Sequence, residues 1–147
     1  MEQCKLEATP MNTNENLTTK DETGMADGQE YRSLVGKLVY LTHSHPNISF
    51  AVGVISQFMH CLTKHHFGIA KRILRYIAGT KELDIWYHKG ENLVLKAYTD
   101  SDWARLLDDR KNTTENCFML GSTVIGWSSK KQPTIAISTA GAAQTTA

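Results

Sequence analysis

YTDSDWA, residues 98–104, follows a run in which the apolar residues Leu93, Leu95 and Ala97 recur at every second position. Alternation with a period of two is typical of a β-strand that buries one face. Gly90 and the polar residues that follow it supply a turn before this run. The stretch therefore predicts a strand that opens the second half of the molecule and carries Asp100 near its end.

Two further patterns around this strand predict an antiparallel sheet. Residues 117–120 and 123–127 are largely apolar runs that flank Gly121-Ser122. A two-residue connection with glycine first suits a type II′ hairpin, because glycine adopts a positive φ without strain. Upstream, alternation over residues 83–87 predicts another extended segment.

The first half of the chain has helical spacing instead. Apolar residues recur every three or four positions in the segments 29–41, 46–59 and 63–78. Pro46 suits the first turn of the second helix, and Gly79 suits the end of the third. Three helices that each bury an apolar face are expected to form a cluster.

Residues 1–28 are polar, with only scattered apolar side chains. Such a segment buries too little surface to offset the entropy of ordering, so a disordered tail or linker is expected. The predicted class is α+β, with the tail at 1–28, a helical segment at 29–90 and a sheet-forming segment at 91–147.

Composition narrows the classes of function. Sixteen lysines and arginines oppose 15 aspartates and glutamates, so the net charge of +1 gives no overall attraction to nucleic acid or anionic membrane. No apolar run reaches the roughly 18 residues of a membrane span, and no secretory signal is recognisable at the N-terminus. Three widely spaced cysteines, Cys4, Cys61 and Cys117, predict neither a disulfide framework nor a metal site.

Longer blocks of sequence are similar to one family. The segment from residue 31 onward resembles the Pol polyprotein of Copia-type (Ty1/copia) retrotransposons, and the match extends over nearly the whole chain. The matching blocks are LVYLT (38–42), AKRILRYIAGT (70–80), YTDSDWA (98–104), DDRK (108–111) and WSSKKQ (127–132). The resemblance implies a fragment that joins the end of a reverse transcriptase to a truncated ribonuclease H-like antiparallel sheet.

The same resemblance identifies a vestigial metal position. Asp100 corresponds to the first metal-binding aspartate of the family's ribonuclease H domain. Two family glutamates are replaced here by Gly141 and Ala143. Two-metal hydrolysis needs several carboxylates that converge on ions roughly 4 Å apart. The chain is therefore expected to be no enzyme, with no catalytic residue, no bound metal and no cofactor.

A second resemblance concerns Arg72-Ile73-Leu74-Arg75, which matches the Arg-x-Leu-Arg translocation motif of secreted effectors from plant-pathogenic oomycetes. Similar Copia fragments carry the name secreted RxLR effector protein. This resemblance implies a secreted protein that acts on an unknown host protein inside plant cells, for example by suppressing cell death. The motif lies in a predicted helix, with Leu74 expected to face the core. The alternative is an intracellular, decayed retrotransposon remnant that has no activity or binds nucleic acid weakly.

Three smaller signals have structural interpretations that we prefer. The loosely clustered histidines at 43, 45, 60, 65 and 66 are expected at the surface rather than around a metal, and Trp86, Trp103 and Trp127 in the core. Lysines and arginines of the third helix leave a weak nucleic-acid contact open. A sheet reduced to three strands is expected to expose an apolar face and an edge, through which the chain would self-associate.

Overall fold

The computed structural model describes residues 5–12, 15, 17–19, 21–87, 89, 93–102 and 113–132. The chain divides into two compact units, Met1–Lys81 and Glu82–Ala147. The described part of the first unit is helical, and that of the second is an antiparallel sheet. The α+β class is confirmed. The division follows Lys81, whereas the sequence analysis places the boundary after residue 90.

The helices of the first unit lie close to their predicted positions. Helix α1 spans Gly28–Leu41, a 3₁₀ turn spans Pro46–Ile48, α2 spans Ser49–Ser56 and α3 spans Lys64–Gly79. Proline occupies the first turn of the 3₁₀ segment, where its missing N–H costs no hydrogen bond. The second helix is shorter than predicted. After Ser56 the backbone N–H groups of Gln57 and Phe58 bond to carbonyls three residues back, at 3.2 Å, instead of four.

Side-chain caps fix where two of the helices begin. The Asp27 carboxylate accepts hydrogen bonds from the backbone N–H groups of Gln29 at 2.8 Å and Glu30 at 3.0 Å. The bond from Glu30, and after it the bond from Gln29, holds the pKa of Asp27 below its ordinary value. At α3 the N-cap is Thr63, and His66 Nδ1 accepts the Thr63 backbone N–H at 3.0 Å. A neutral imidazole thus takes the place that a glutamate usually fills in a capping box.

The core of the first unit forms where the three helices meet. Its fully buried side chains come from every helix: Tyr31, Val35 and Leu38 from α1, Val52 and Ile55 from α2, and Ala70 and Ile73 from α3. The Tyr31 hydroxyl donates a buried hydrogen bond of 2.7 Å to the Ile55 carbonyl. Its ring meets Phe67 edge-on, and burial raises the pKa of Tyr31.

The segment before α1 packs against the helices wherever it is described. Leu17 is 1% exposed, and Met25 forms an antiparallel bridge to Thr63. The Asp21 carboxylate accepts hydrogen bonds from the hydroxyls of Thr23 and Thr63. The described part of residues 1–28 therefore differs from the expected disordered tail. One buried leucine and a few polar contacts anchor it, and average composition does not reveal them.

The second unit is a three-strand meander. Strands β1 (Leu95–Asp102), β2 (Thr113–Leu120) and β3 (Thr123–Lys131) pair antiparallel in the order β1-β2-β3. Gly121 has a φ of +63°, as the glycine-first hairpin requires. The register shifts beside Phe118, so that Ile125 is the extra residue of a β-bulge.

The predicted extended segment at 83–87 joins no strand of the described sheet, although Thr123 Oγ1 donates to the Trp86 carbonyl at 2.8 Å. Large apolar side chains of this unit are exposed, including Leu95 at 64% and Tyr98 at 54%. Self-association through this surface stays a prediction. Among the described residues, no helix is long and apolar enough to cross a membrane.

The buried hydroxyl of Tyr31 gives a first stability test. We expect Tyr31→Phe to lower the free energy of unfolding by about 1 kcal/mol, because the Ile55 carbonyl loses a buried donor while it keeps the backbone N–H of Phe58. The control Tyr40→Phe alters a side chain that is 77% exposed and is expected to change stability by less than about 0.5 kcal/mol. Urea denaturation followed by circular dichroism measures both. Equal effects would show that the Tyr31–Ile55 bond contributes nothing specific.

The Asp21 carboxylate gives a test by pH. Hydrogen bonds from the side chains of Thr23 and Thr63 lower the pKa of Asp21 from 3.8 to about 2. A folded-state pKa below the unfolded one stabilises the fold above pH 3.8, and this contribution disappears as the pH falls through about 2. At pH 6 the wild type is therefore expected to have a higher melting temperature than Asp21→Asn. This difference is expected to disappear between pH 4 and pH 2. Glu22→Gln is the control, and a gap that persists at pH 2 would contradict the assignment.

Candidate functional site

The predicted metal position lies in a cross-strand row of the sheet. Asp100 on β1 pairs with Glu115 on β2, which in turn pairs with Ser129 on β3. Residues paired directly across antiparallel strands share one face, so the three side chains stand side by side. Ser129 Oγ donates to Glu115 Oε1 at 3.2 Å, and Asp100 is exposed.

This row offers two carboxylates but no larger ligand set. Among the described residues, no group of three or more histidine, cysteine or acidic side chains is placed to hold a metal ion. The replacements Gly141 and Ala143 lie outside the described residues, as do Asp108 and Asp109. Magnesium demands a near-octahedral set of oxygens, and Asp100 with Glu115 supplies only part of one.

Sequence reasoning did not single out Glu115. The resemblance draws attention to Asp100, whereas the partner of Asp100 is fixed by the register of β1 on β2. Counting back from the hairpin at Gly121-Ser122 with a period of two could have placed Glu115 on a face of β2, but not opposite Asp100. That pairing depends on how the chain passes from β1 to β2, which the sequence does not show.

The Arg72-Ile73-Leu74-Arg75 segment forms part of α3 rather than an extended strand. Ile73 is fully buried in the helical core, whereas Leu74 is only half-buried. Leu74 was expected to face the core, but Ile73 is the residue of this motif that the core buries completely. The two arginines, one turn apart, lie nearer to solvent, with side-chain exposures of 22% and 35%.

Both arginines contact the segment that precedes the helices. Glu7 Oε2 lies 3.4 Å from Arg72 Nη2, and Glu7 Oε1 lies 3.4 Å from Arg75 Nη2. Arg72 also donates to Thr9, from Nε to the carbonyl oxygen at 3.2 Å and from Nη2 to Oγ1 at 3.0 Å. Ion pairs that water reaches contribute roughly 0.2–1 kcal/mol each. The motif is thus covered by a weak polar contact within the chain.

The histidines split between two roles. His65 Nε2 lies 2.9 Å from Glu15 Oε1, and its Nδ1 lies 3.8 Å from Asp21 Oδ2, so this imidazole joins two acidic residues of the preceding segment. His66 is fully buried, caps α3 and stacks on Phe58 at 4.1 Å between ring centroids. The expected surface position is found for His43 and His60, whereas His45 is half-buried and His66 is fully buried, so the expectation is wrong for His66.

The tryptophans do not all behave as core residues. Trp86 is 73% exposed, so its interpretation as a core side chain is wrong. Trp127 on β3 is half-buried, and Trp103 lies outside the described residues. A local strand pattern identified these aromatic side chains but could not show which of them other elements cover.

Helix α3 has a one-sided charge. Its sixteen residues, KHHFGIAKRILRYIAG, include four lysines and arginines and no acidic residue. Lys71 Nζ lies 4.3 Å from the centre of the Phe67 ring, in the position of a cation–π contact. Helix α3 therefore has a net positive charge.

Comparison with known proteins identifies relatives over most of the chain. It is 46% identical over 125 residues to the retrovirus-related Pol polyprotein from transposon RE2 of Arabidopsis thaliana, and 40% identical over 123 residues to that from transposon TNT 1-94 of Nicotiana tabacum. These matches cover 85% and 83% of this chain but only 9% of each polyprotein. The chain thus spans about a tenth of the length of these relatives.

A different kind of relative is the Secreted RxLR effector protein 161 of Plasmopara viticola. It is 36% identical over 109 residues, which cover 74% of this chain and 77% of that protein. No family model matches the chain, and no solved structure matches it. Copia-type Pol polyproteins are among the relatives that are 40–47% identical to this chain over most of its length. This chain belongs to the Copia-type retrotransposon Pol family.

Proposed function

We propose that this chain is a non-catalytic interaction protein derived from a Copia Pol fragment. The observation that carries the proposal is the Asp100 row, where one neighbouring carboxylate, Glu115, accompanies the vestigial metal position. Hydrolysis by two metal ions requires a clamp on both the attacking and the leaving oxygen. Among the described residues, one exposed and one half-buried carboxylate give a partial ligand set, which is too little for that clamp.

The replaced positions support the same conclusion. Where the family resemblance expects two glutamates, the chain has Gly141 and Ala143, neither of which can ligate a metal through a side chain. Substitution at both sites removes two of the metal ligands that the resemblance implies. What remains is a folded helical unit and a sheet whose surfaces are available for contact. The activity, substrates and partners of the full-length relatives are not assumed for this chain.

A nuclease assay tests the non-catalytic assignment. The full chain is incubated with an RNA–DNA hybrid and Mg²⁺ or Mn²⁺, beside Asp100→Asn as the matched control. We expect the two proteins to give the same background rate of cleavage, within about twofold. A site that already lacks ligands for two metal ions has no activity that the loss of Asp100 could lower. Cleavage by wild type at least tenfold above Asp100→Asn would overturn the proposal.

A second candidate role is that of a secreted RxLR-type effector that acts inside host plant cells, where it suppresses cell death. The 36% identity to the Secreted RxLR effector protein 161, over 77% of its length, favours this role. The helical setting of Arg72–Arg75 weighs against a freely accessible export motif. Under the remaining alternative, a decayed retrotransposon fragment, the chain stays in the cell that makes it and has no effect on a host.

Expression inside plant cells separates these alternatives. Under the effector role, residues 1–147 produced in the cytoplasm suppress induced cell death. Arg72→Ala/Arg75→Ala suppresses it equally, because a translocation motif is not needed once the protein is inside. Ion leakage measured against an empty vector gives the readout. An absence of suppression by wild type would remove the effector role and leave the decayed fragment.

A further inference from the structure

The outer side of α3 carries an organised, positively charged surface. At 3.6 residues per turn, Lys64, Lys71, Arg72 and Arg75 fall within an arc of about 100°. Gly68 lies on the same side, and a Cβ placed there would meet nothing within 4 Å. The helix itself offers no acidic residue to neutralise these charges. An anionic partner from outside the helix is therefore the chemical complement of this side.

Within the chain, that partner is the segment Leu6–Thr9. Its Glu7 carboxylate spans both guanidinium groups, one oxygen facing each, at 3.4 Å. Its Thr9 receives both hydrogen bonds that Arg72 donates. Its Leu6 lies against Gly79, where a Cβ placed on the glycine would be in van der Waals contact with the leucine Cβ at 3.4 Å. Three consecutive types of contact thus recognise a hydrophobic residue, a carboxylate and a hydroxyl in order.

We propose that Arg72, Arg75 and Gly79, at the C-terminal end of this side of α3, form a binding site for an acidic peptide of the pattern Leu-Glu-x-Thr, which residues 6–9 occupy in cis. The contacts are specific in arrangement but weakly held. Both ion pairs are longer than a hydrogen bond, Leu6 is 57% exposed, and the Arg75 Nε atom is buried without a hydrogen-bond acceptor among the described residues.

The occupant in cis has one large advantage over a peptide in solution. A segment tethered to its site acts at an effective concentration in the millimolar range. A free peptide with the same contacts therefore competes poorly with residues 6–9 of the intact chain. Weakening the cis segment, without touching the arginines, should open the site to the same sequence added in trans.

A peptide-binding experiment on the full chain tests the proposal. The probe is a fluorescein-labelled peptide with the sequence of residues 5–12, KLEATPMN, followed by fluorescence anisotropy. We expect Leu6→Ala/Glu7→Ala to bind this peptide at least tenfold more tightly than wild type. Adding Arg72→Ala/Arg75→Ala to that variant is expected to abolish the gain, and a peptide with Glu7→Gln is expected not to bind.

Controls distinguish a shaped site from general charge attraction. Lys64→Ala/Lys71→Ala, placed in the Leu6→Ala/Glu7→Ala background, removes the same charge as the arginine pair and is expected to keep binding within about threefold. Circular dichroism verifies that each variant is folded. The milder protein variant Glu7→Gln alone is also expected to bind the peptide more tightly than wild type does. If the lysine pair and the arginine pair of substitutions reduced the peptide affinity equally, the proposal would be overturned.

An oligonucleotide provides the competing outcome. An unlabelled eight-nucleotide single strand is expected to displace the bound peptide less effectively than the unlabelled peptide does, because Leu6 and Thr9 contacts are absent from a phosphate backbone. Displacement by the oligonucleotide at a lower concentration than by the peptide would overturn the peptide assignment and identify a site for phosphate. Failure of Leu6→Ala/Glu7→Ala to gain any peptide binding would also refute it.

Discussion

The first unit depends on one residue at the start of α3. Thr63 caps the helix, bridges to Met25 and donates its hydroxyl to Asp21. The next residue, Lys64, donates its backbone N–H to the Gly24 carbonyl at 2.9 Å. A helix N-terminus presents N–H groups that need acceptors, and here the preceding segment supplies them. The contacts that satisfy the N–H groups at the start of α3 therefore also hold residues 21–25 against this helix.

This junction also explains what composition does not reveal about the described part of the N-terminal segment. A polar stretch is expected to stay disordered because it lacks apolar surface to bury. The described residues instead use polar groups that each match a specific acceptor or donor on α3, with Leu17 as the single fully buried apolar side chain. Sequence pattern reports average hydrophobicity and period, whereas this packing depends on individual pairs such as Glu7 with Arg72. Pairs of that kind, 65 positions apart, have no local signal.

Where local chemistry decides the structure, the sequence was informative. Pro46, Gly79 and the Gly121-Ser122 turn mark a helix start, a helix end and a hairpin close to their observed positions. Each is set by backbone preferences within a few residues. Exposure of Trp86 and the pairing of Asp100 with Glu115 depend instead on what another segment covers or aligns. The candidate site was therefore predictable in its aspartate but not in its neighbour, which only the strand register supplies.

Helical geometry changes what the Arg72–Arg75 motif can present to a partner. A receptor that reads four consecutive side chains needs them in an extended segment, but Ile73 is fully buried in the helical core. Removing such a side chain from a core costs about 2–5 kcal/mol, a large share of the 5–15 kcal/mol that typically stabilises a domain. While α3 stays folded, a partner meets two guanidinium groups one turn apart rather than the motif. The folded chain thus offers a basic helix surface, and reading the motif as a linear signal would require α3 to unfold first.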